Sequence, residues 1–162
     1  MATKLFLRET TTNGIGSYRD MLAVAGASVT TGVVNTAASG TEIQWTKTAG
    51  GAALEWISGR APSGGFTLAG SMSFSIWASE SNMNANCGGR VRIFKRTAGG
   101  SESEVGGGPY NDGAEFTTST LEYTWAGTPT STAFAEDDRL IVRYYITGAG
   151  TMAAGHTCTL SY

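Results

Sequence analysis

The sequence is poor in the side chains that carry most enzyme and metal chemistry. Its 162 residues include one histidine, two cysteines and three prolines, and charged residues make up only 15%. A single histidine excludes metal sites built from two or three imidazoles. His156 also has no sequence neighbour that completes a nucleophile and base arrangement, so we interpret it as an ordinary strand residue. We therefore expect no enzyme, no cofactor and no resident metal ion.

The charge pattern and the lack of long apolar runs exclude further classes. The net charge is −2, and the only basic clusters are the pair Arg90 and Arg92 and the dipeptide at 95–96. Nucleic-acid binding needs a concentrated positive patch, so we do not expect it. No apolar run approaches the ~18 residues of a membrane span. The apolar stretch at the start is too short for a signal peptide, which predicts synthesis in a cytoplasm without export.

The cysteines give no metal or redox signature. Cys87 and Cys158 lie far apart in the sequence and form no CxxC or Cys/His motif. We expect two reduced thiols in or near the core. A disulfide is the alternative, if the two predicted strands are neighbours and the protein later meets an oxidising medium.

The chain is instead rich in strand-like runs separated by glycine-rich breaks. β-Branched and aromatic residues recur at a period of two, which is typical of half-buried strands. No long run has the helical period that would cover a parallel sheet. The pattern predicts an all-β protein, an antiparallel β-sandwich with about eight to ten strands, in one domain over residues 1–162. Strand-like segments lie at 3–8, 28–36, 41–48, 54–57, 66–79, 90–97, 102–105, 114–117, 121–125, 139–147 and 156–161. The short apolar segment 18–25 is ambiguous and fits either a strand or a helical turn.

The segment 66–79 shows the clearest alternation. Apolar residues such as Phe74 and Ile76 fall on one face, serines and Trp77 fall on the other, and Gly70 marks a bend or bulge. All four tryptophans lie in predicted strands, where large aromatic residues are ordinary core material. Trp77 is the exception, because it shares the serine-rich face. An exposed Trp77 would favour contact with a ligand or another subunit.

Two segments are predicted to be exposed loops and are our candidates for partner contact. Segment 81–86 is rich in asparagine, which tolerates left-handed backbone and caps turns. Segment 106–113 contains three consecutive glycines followed by proline and is the most flexible part by composition. The candidate contact residues in these loops are Asn82, Asn84, Asn86, Tyr110, Asn111 and Asp112.

The acidic residues raise two alternatives, neither favoured by their spacing. A pair of carboxylates across a cleft would suit a glycosidase, and the run at 136–138 would suit Ca²⁺. The run lacks the spacing of a calcium loop, so we interpret it as a solvated turn. Asp138 is expected to cap backbone N–H groups or to pair with Arg139 or Arg143.

In its overall sequence pattern the chain resembles the small jelly-roll proteins found on tailed-bacteriophage particles, such as head decoration proteins and collar or tail-fibre modules. The resemblance is carried by the start at 2–8, by the Gly/Thr/Ser/Ala-rich body, and by the acidic turn into a strand at 134–144. It implies a jelly-roll-like fold and a structural virion protein without enzymatic activity.

The resemblance further implies a capsid decoration (cement) protein located in the virion, with the major capsid protein or other virion proteins as partners. It is expected to form a homo-oligomer, with a trimer favoured because lattice three-folds are natural binding sites. The alternative is a carbohydrate-binding module of a phage tail or adhesion device, which would place an exposed aromatic ring beside Asn or Asp. An enzyme is the third possibility.

Overall fold

The computed structural model describes residues 5–8, 10, 15, 18–22, 31–36, 42–47, 52–149 and 152–162. This part of the chain contains fourteen strands and one short 3-10 helix, Met83–Ala85. None of its helices is long and apolar enough to cross a membrane. The strands are β1 Phe6–Leu7, β2 Arg19–Leu22, β3 Thr31–Asn35, β4 Ile43–Gln44, β5 Glu55–Ser58, β6 Phe66–Leu68, β7 Met72–Glu80, β8 Cys87–Arg96, β9 Glu102–Glu104, β10 Tyr110–Asn111, β11 Leu121–Gly127, β12 Thr132–Phe134, β13 Arg139–Gly148 and β14 Thr157–Ser161.

The strands form two main sheets, which confirms the predicted all-β sandwich. The larger sheet has eight strands in the order β1-β2-β5-β13-β8-β10, with β4 paired to β13 and β9 paired to β8. The second sheet has four strands in the order β11-β7-β14-β3, and β6 and β12 form a separate pair. The strand number exceeds the expected eight to ten because several strands have only two or three residues.

One pair departs from the predicted antiparallel arrangement. β2 runs parallel to β5, with Arg19 opposite Trp56, whereas the other strand pairs are antiparallel in the described residues. Between β2 and β5 the chain passes through β3 in the other sheet. That excursion provides the long crossover that a parallel pair requires.

The predicted segments at the N-terminus are described only in part. The first predicted strand, 3–8, is represented by β1, and its residues 3 and 4 lie outside the described residues. The ambiguous segment 18–25 forms β2 up to Leu22, and residues 23–25 lie outside. Residues 2–4 of the phage-like start also lie outside the described part.

The segment 66–79 forms two strands with the predicted faces. Gly70 has φ of 83° and separates β6 from β7. In β7, Phe74, Ile76 and Ala78 are buried, while Ser73, Ser75 and Trp77 are exposed. The alternation therefore orients β7 correctly, with its apolar side towards the other sheet.

The core between the sheets is built around aromatic rings from both of them. Trp45 and Trp56 are fully buried, and Trp125 is 7% exposed. The Tyr144 ring in β13 contacts Trp56 of β5 and Trp125 of β11 edge-on, at centroid distances of 5.8 and 6.3 Å. Because β11 belongs to the four-stranded sheet, these contacts join the two sheets in one core.

Candidate functional site

The outer surface of the four-stranded sheet carries a nearly uncharged array of hydroxyl groups around one tryptophan. We call this surface the hydroxyl face. Along each strand the alternate residues point outward, because successive side chains of a strand alternate between faces. The hydroxyl face consists of Ser73, Ser75, Trp77 and Ser79 of β7, Glu122, Thr124 and Ala126 of β11, Thr157, Thr159 and Ser161 of β14, and Thr31, Val33 and Asn35 of β3.

Trp77 lies in the interior of this face and is 47% exposed. β7 has β11 on one side and β14 on the other, so the ring has a strand on each flank. One row of directly opposed residues crosses all four strands and contains Glu122, Trp77, Ser161 and Thr31. A large exposed ring in the middle of a sheet, away from both edges, is placed where a partner can cover it completely.

The hydroxyl groups around Trp77 are partly linked to one another. Ser75 donates a hydrogen bond to Glu122. The Thr124 hydroxyl donates to Ser75 Oγ at 3.4 Å, and Thr120 donates to Ser79 Oγ at 3.3 Å. Hydroxyl oxygens retain acceptor capacity after donating, so this surface can still exchange hydrogen bonds with a ligand.

The size of the face limits what it can bind alone. Three inter-strand spacings of about 4.8 Å and seven residues of strand at about 3.4 Å give a surface of about 300 Å². A stable protein complex buries about 800 Å² on each partner. The hydroxyl face alone is therefore suited to a weak contact that is repeated many times, or to a small ligand.

The outer surface of the larger sheet is chemically opposite, because it is covered by paired charges. Arg143 contacts Glu55 and Glu102, the latter at 2.7 Å, and its guanidinium lies 4.2 Å from the centroid of the Phe94 ring. Burial alone would raise the pKa of Glu102, but hydrogen bonds from Tyr18, Arg143 and other donors outweigh it and lower that pKa.

Tyr18 shares this cluster, where burial and its hydrogen bond to Glu102 raise the pKa of the phenol to about 12. A second cluster follows along β8, where Glu42 bridges Arg90 at 2.9 Å and Arg92 at 2.7 Å. Arg92 also pairs with Glu104 at 2.9 Å. These positive charges are compensated within the sheet, which leaves little for an external anion.

The predicted loop 81–86 contains the 3-10 helix, and two of its asparagines stabilise that turn. Asn82 precedes the helix and accepts a hydrogen bond from the Asn84 N–H at 2.9 Å. Asn86 follows it with φ of 54°, and its side-chain amide donates to the Asn84 carbonyl at 2.9 Å. Asn82 and Asn84 are exposed and Asn86 is half-buried. This loop therefore offers a preformed polar turn at one end of the sandwich.

The prediction that segment 106–113 is an exposed, flexible loop is wrong at Tyr110. Residues 110 and 111 form β10, which pairs with Val91 and Arg90 of β8. Tyr110 is only 5% exposed, and its ring stacks on Phe74 at a centroid distance of 5.5 Å. Tyr110 is therefore a core residue and not a candidate for surface contact. The free energy gained by burying its aromatic ring exceeds the cost of ordering the glycine-rich segment around it.

Of the other two candidates in this segment, Asn111 is the last residue of β10 and Asp112 follows it. Asn111 is exposed, and its side-chain oxygen accepts a hydrogen bond from Arg90 Nε at 2.7 Å. Asp112 is half-buried, and burial raises the pKa of its carboxyl. The two residues lie in the larger sheet, whereas Trp77 lies in the other one. The structure thus does not place the candidate residues of the two loops and Trp77 in a single sheet.

The hydroxyl face includes residues that the sequence analysis did not single out. Two of these residues, Glu122 and Ser161, lie directly opposite Trp77 on the neighbouring strands, and a third, Thr159, lies opposite Ser79. The available signal was the alternation in 121–125 and 157–161, where polar residues alternate with Tyr123, Trp125 and other buried residues. Which strands neighbour β7 is a matter of tertiary pairing, and alternation alone does not specify it.

Comparisons with known proteins give a fold and no family. No protein-family model and no curated protein matches the sequence. Two crystal structures of a CocE/NonD family hydrolase from Staphylococcus aureus are similar to the chain. The first has a TM-score of 0.57 and 9% identity and covers 88% of this chain and 32% of that chain. The second has a TM-score of 0.56 and 10% identity and covers 87% and 32%.

These structures contradict the expectation that the chain is not an enzyme. That expectation came from the scarcity of catalytic residue types and from the resemblance to phage proteins. A similar architecture is found within the two hydrolase structures. At 9% and 10% identity the similarity shows the fold alone. The chain spans about a third of the length of these hydrolases, since the match covers 32% of each.

Proposed function

We propose that the chain is a structural virion protein of the capsid-decoration type, which docks on a neighbouring protein of the particle through its hydroxyl face. The major capsid protein is the proposed partner, and the proposed site of action is the virion. The observation that carries this proposal is the 47% exposure of Trp77 in the interior of the four-stranded sheet.

The composition of the face supports docking on a protein. Tryptophan is among the residues that contribute most to binding free energy at interfaces, and charged residues are depleted in interface cores. Glu122 is the one charged residue among the outward residues that define the face. Covering the exposed part of Trp77 removes about 100 Å² from water, which stabilises a complex by about 2.5 kcal/mol.

The small area of the face supports a repeated contact. One copy binding through about 300 Å² falls well short of the about 800 Å² per partner of a stable complex. A homo-oligomer, with a trimer favoured, engages several sites at once and gains affinity without any new contact. A shell that offers many identical sites is a suitable partner for such a protein.

Carbohydrate binding is the second candidate, and the position of Glu122 favours it. Glu122 stands directly opposite Trp77 across the β7–β11 pair. A tryptophan face stacks on the apolar side of a sugar ring, and a carboxylate with nearby hydroxyls can bind the sugar hydroxyls. This arrangement would serve a module of a phage tail or adhesion device.

The test compares Trp77→Ala with Met83→Ala. Met83 is a matched control, because it is 53% exposed and lies in the 3-10 helix, outside the hydroxyl face. Each protein is added to phage shells stripped of accessory proteins and to a glycan array. Size-exclusion chromatography with light scattering gives the oligomeric state.

We expect the wild-type chain to bind the shells as an oligomer, Trp77→Ala to lose most of this binding, and Met83→Ala to retain it. Because about half of the Trp77 side chain is buried against the sheet, its replacement should also lower the melting temperature, and binding is therefore measured at a temperature where every variant is folded. Retention of the wild-type chain on glycans without binding to shells would overturn the docking proposal in favour of the carbohydrate candidate. Equal shell binding by Trp77→Ala and wild type would remove the hydroxyl face from the proposal.

A further inference from the structure

Two thiols and a carboxyl group meet at one end of the sandwich, between the two main sheets. Glu80 is the last residue of β7, and Cys158 of β14 is paired directly opposite it. Cys87 is the first residue of β8, in the larger sheet. One carboxylate oxygen and the two sulfur atoms all lie within 4.8 Å of one another. Three potential ligand atoms therefore converge from both sheets.

The cluster is buried, and its hydrogen bonding is incomplete. Glu80 is 2% exposed, and both cysteines are fully buried. Glu80 Oε2 accepts a hydrogen bond from the Cys87 N–H at 3.1 Å, whereas Oε1 accepts no N–H among the described residues and the neighbouring side chain is the carboxyl of Glu115, itself an acceptor when ionised. The Cys87 thiol is directed at the Ala85 carbonyl at 3.7 Å. A buried carboxyl oxygen without a partner is costly, so the site calls for a further group.

A divalent cation that accepts sulfur ligands satisfies all three side chains. Two thiolates with one carboxylate form a donor set suited to Zn²⁺, whereas Ca²⁺ and Mg²⁺ prefer oxygen alone. With Zn–S bonds of about 2.3 Å, the ligand atoms of a tetrahedral site lie about 3.8 Å apart. A separation within 4.8 Å is already near that value, so small side-chain shifts complete the site.

We propose that Glu80, Cys87 and Cys158 bind a Zn²⁺ ion that joins the two sheets. The Glu115 carboxyl lies within hydrogen-bonding reach of Glu80. Because Glu115 is half-buried, it connects the buried cluster to solvent and offers a further oxygen ligand. Binding releases the thiol protons to solvent, and no oxidant or reductant takes part.

A disulfide between the cysteines is the competing arrangement. The two thiols are free in this structure. A disulfide would use both sulfur atoms and leave Glu80 with the same unpaired oxygen, whereas a cation engages the carboxylate as well. The carboxylate is thus the feature that favours the metal over the disulfide.

The test begins with the wild-type chain, freed of metal with a chelator under reducing conditions and then titrated with Co²⁺ and Zn²⁺. We expect one equivalent to bind, thiolate-to-cobalt charge-transfer absorption to appear, and Zn²⁺ to displace Co²⁺, protect both thiols from a thiol reagent and raise the melting temperature. Glu80→Gln should weaken Zn²⁺ binding by at least about tenfold, and Cys158→Ser should weaken both the binding and the charge-transfer band, since only the Cys87 thiolate remains.

Glu136→Gln is the matched control, because it makes the same change at an exposed turn residue outside both the thiol cluster and the hydroxyl face and should bind Zn²⁺ as wild type does. Circular dichroism establishes that each variant is folded. Should a variant fail to fold, the cobalt spectrum of the wild-type chain still decides the question. A folded wild-type chain without the charge-transfer band would overturn the proposal, as would recovery of the cysteines as a disulfide when Zn²⁺ is present.

Discussion

Tyr110 is accommodated in the core by the absence of a side chain at position 127. Gly127 ends β11, and a Cβ atom added there would overlap the Tyr110 ring. The ring is thereby free to stack on Phe74. The glycine is needed here for close approach, since a methyl group would compete with an aromatic ring for the same space.

We expect Gly127→Ala to destabilise the protein by about 1–3 kcal/mol, the usual cost of overpacking a core. Gly59→Ala is the matched control, because a Cβ at position 59 meets nothing within 4 Å. That change should leave the free energy of unfolding equal or slightly higher. Urea denaturation measures both variants, and equal stability of Gly127→Ala and wild type would contradict this account of the packing.

Within the run 136–138, which was predicted to be a solvated turn, Asp138 is the residue whose surroundings differ from that prediction. Its side chain is 5% exposed and lies 2.9 Å from Lys95 Nζ. The carboxylate also accepts hydrogen bonds from the backbone N–H groups of Ala98 at 3.1 Å and Ala135 at 2.8 Å. Capping of backbone N–H groups was predicted, but the cation that pairs with Asp138 is Lys95 in place of Arg139 or Arg143.

This environment predicts a loss of stability in acid. The hydrogen bond from Lys95 and those from the two amides lower the pKa of Asp138, although burial opposes the shift. Because the folded-state pKa lies below the unfolded one, the stabilisation is complete above the unfolded value of about 4. It is lost as the pH falls through the folded-state pKa.

Asp138→Asn should therefore be less stable than wild type at pH 7, and the difference should shrink as the pH is lowered below about 4. Asp137→Asn is the control: its side chain is 45% exposed, and its φ of 66° suits asparagine as well. It should retain the wild-type acid dependence. Chemical denaturation at a series of pH values checks this, and a constant difference between wild type and Asp138→Asn would contradict it.

Sequence reasoning succeeded at Trp77 and failed at Tyr110 for one physical reason. Trp77 belongs to a run that alternates with Phe74 and Ile76, so the period of the strand orients its side chain. Tyr110 is a single aromatic residue among glycines, where no period exists. Its burial depends on Gly127, a residue brought near only by the fold.

Among the strands, β8 and β13 form the longest pairing, with ten opposed residue pairs from Cys87 to Arg96. Strands were predicted at 90–97 and 139–147, and the structure has both, with β8 beginning three residues earlier, at Cys87, and β13 ending one residue later. The outward face carries arginines that contact carboxylates on other strands of the sheet, such as Glu55 of β5 and Glu102 of β9. These cross-strand pairs cover the apolar residues of that face, including Ile141, which is fully buried.

Arg143 is central to the ion pairs that cover the outer face of the larger sheet, because it contacts both Glu55 and Glu102. We expect Arg143→Met to destabilise the protein by about 1–3 kcal/mol, because Glu55 and Glu102 lose a charged partner while the apolar stem is retained. Arg60→Met is the control, since the Arg60 side chain is 64% exposed and its ion pair with Asp137 is 3.3 Å long. Thermal denaturation distinguishes the two changes, and equal effects would contradict a special role for Arg143.

The number and order of strands were less predictable than their faces. Very short strands such as β1 and β10 have two residues each, too few to show a period. The parallel β2–β5 pair joins segments on either side of an excursion into the other sheet, so nothing local specifies it. The same holds for Cys87 and Cys158, whose approach depends on how the two sheets pack.

For the whole molecule, the aromatic contacts across the core predict that the two sheets unfold together. Tyr144 contacts Trp56 in its own sheet and Trp125 in the other. Since the same ring supports both sheets, neither retains its packing when the other is lost. Tryptophan fluorescence, which includes Trp56 and Trp125, and far-ultraviolet circular dichroism should therefore report one coincident transition.

Adjacent tyrosines provide a matched test of this coupling. Tyr144 is 4% exposed and points into the core, whereas Tyr145 points outward and lies under the Arg92 guanidinium at 5.9 Å. We expect Tyr144→Ala to cost about 3–5 kcal/mol, as for other large core truncations, and to shift both signals together. Tyr145→Ala should cost clearly less. Two separate transitions in the wild-type protein would show that the sheets fold independently. The two variants remove the same atoms from opposite faces of one strand, so a larger loss of stability in Tyr145→Ala would show that the coupling lies on the outer surface.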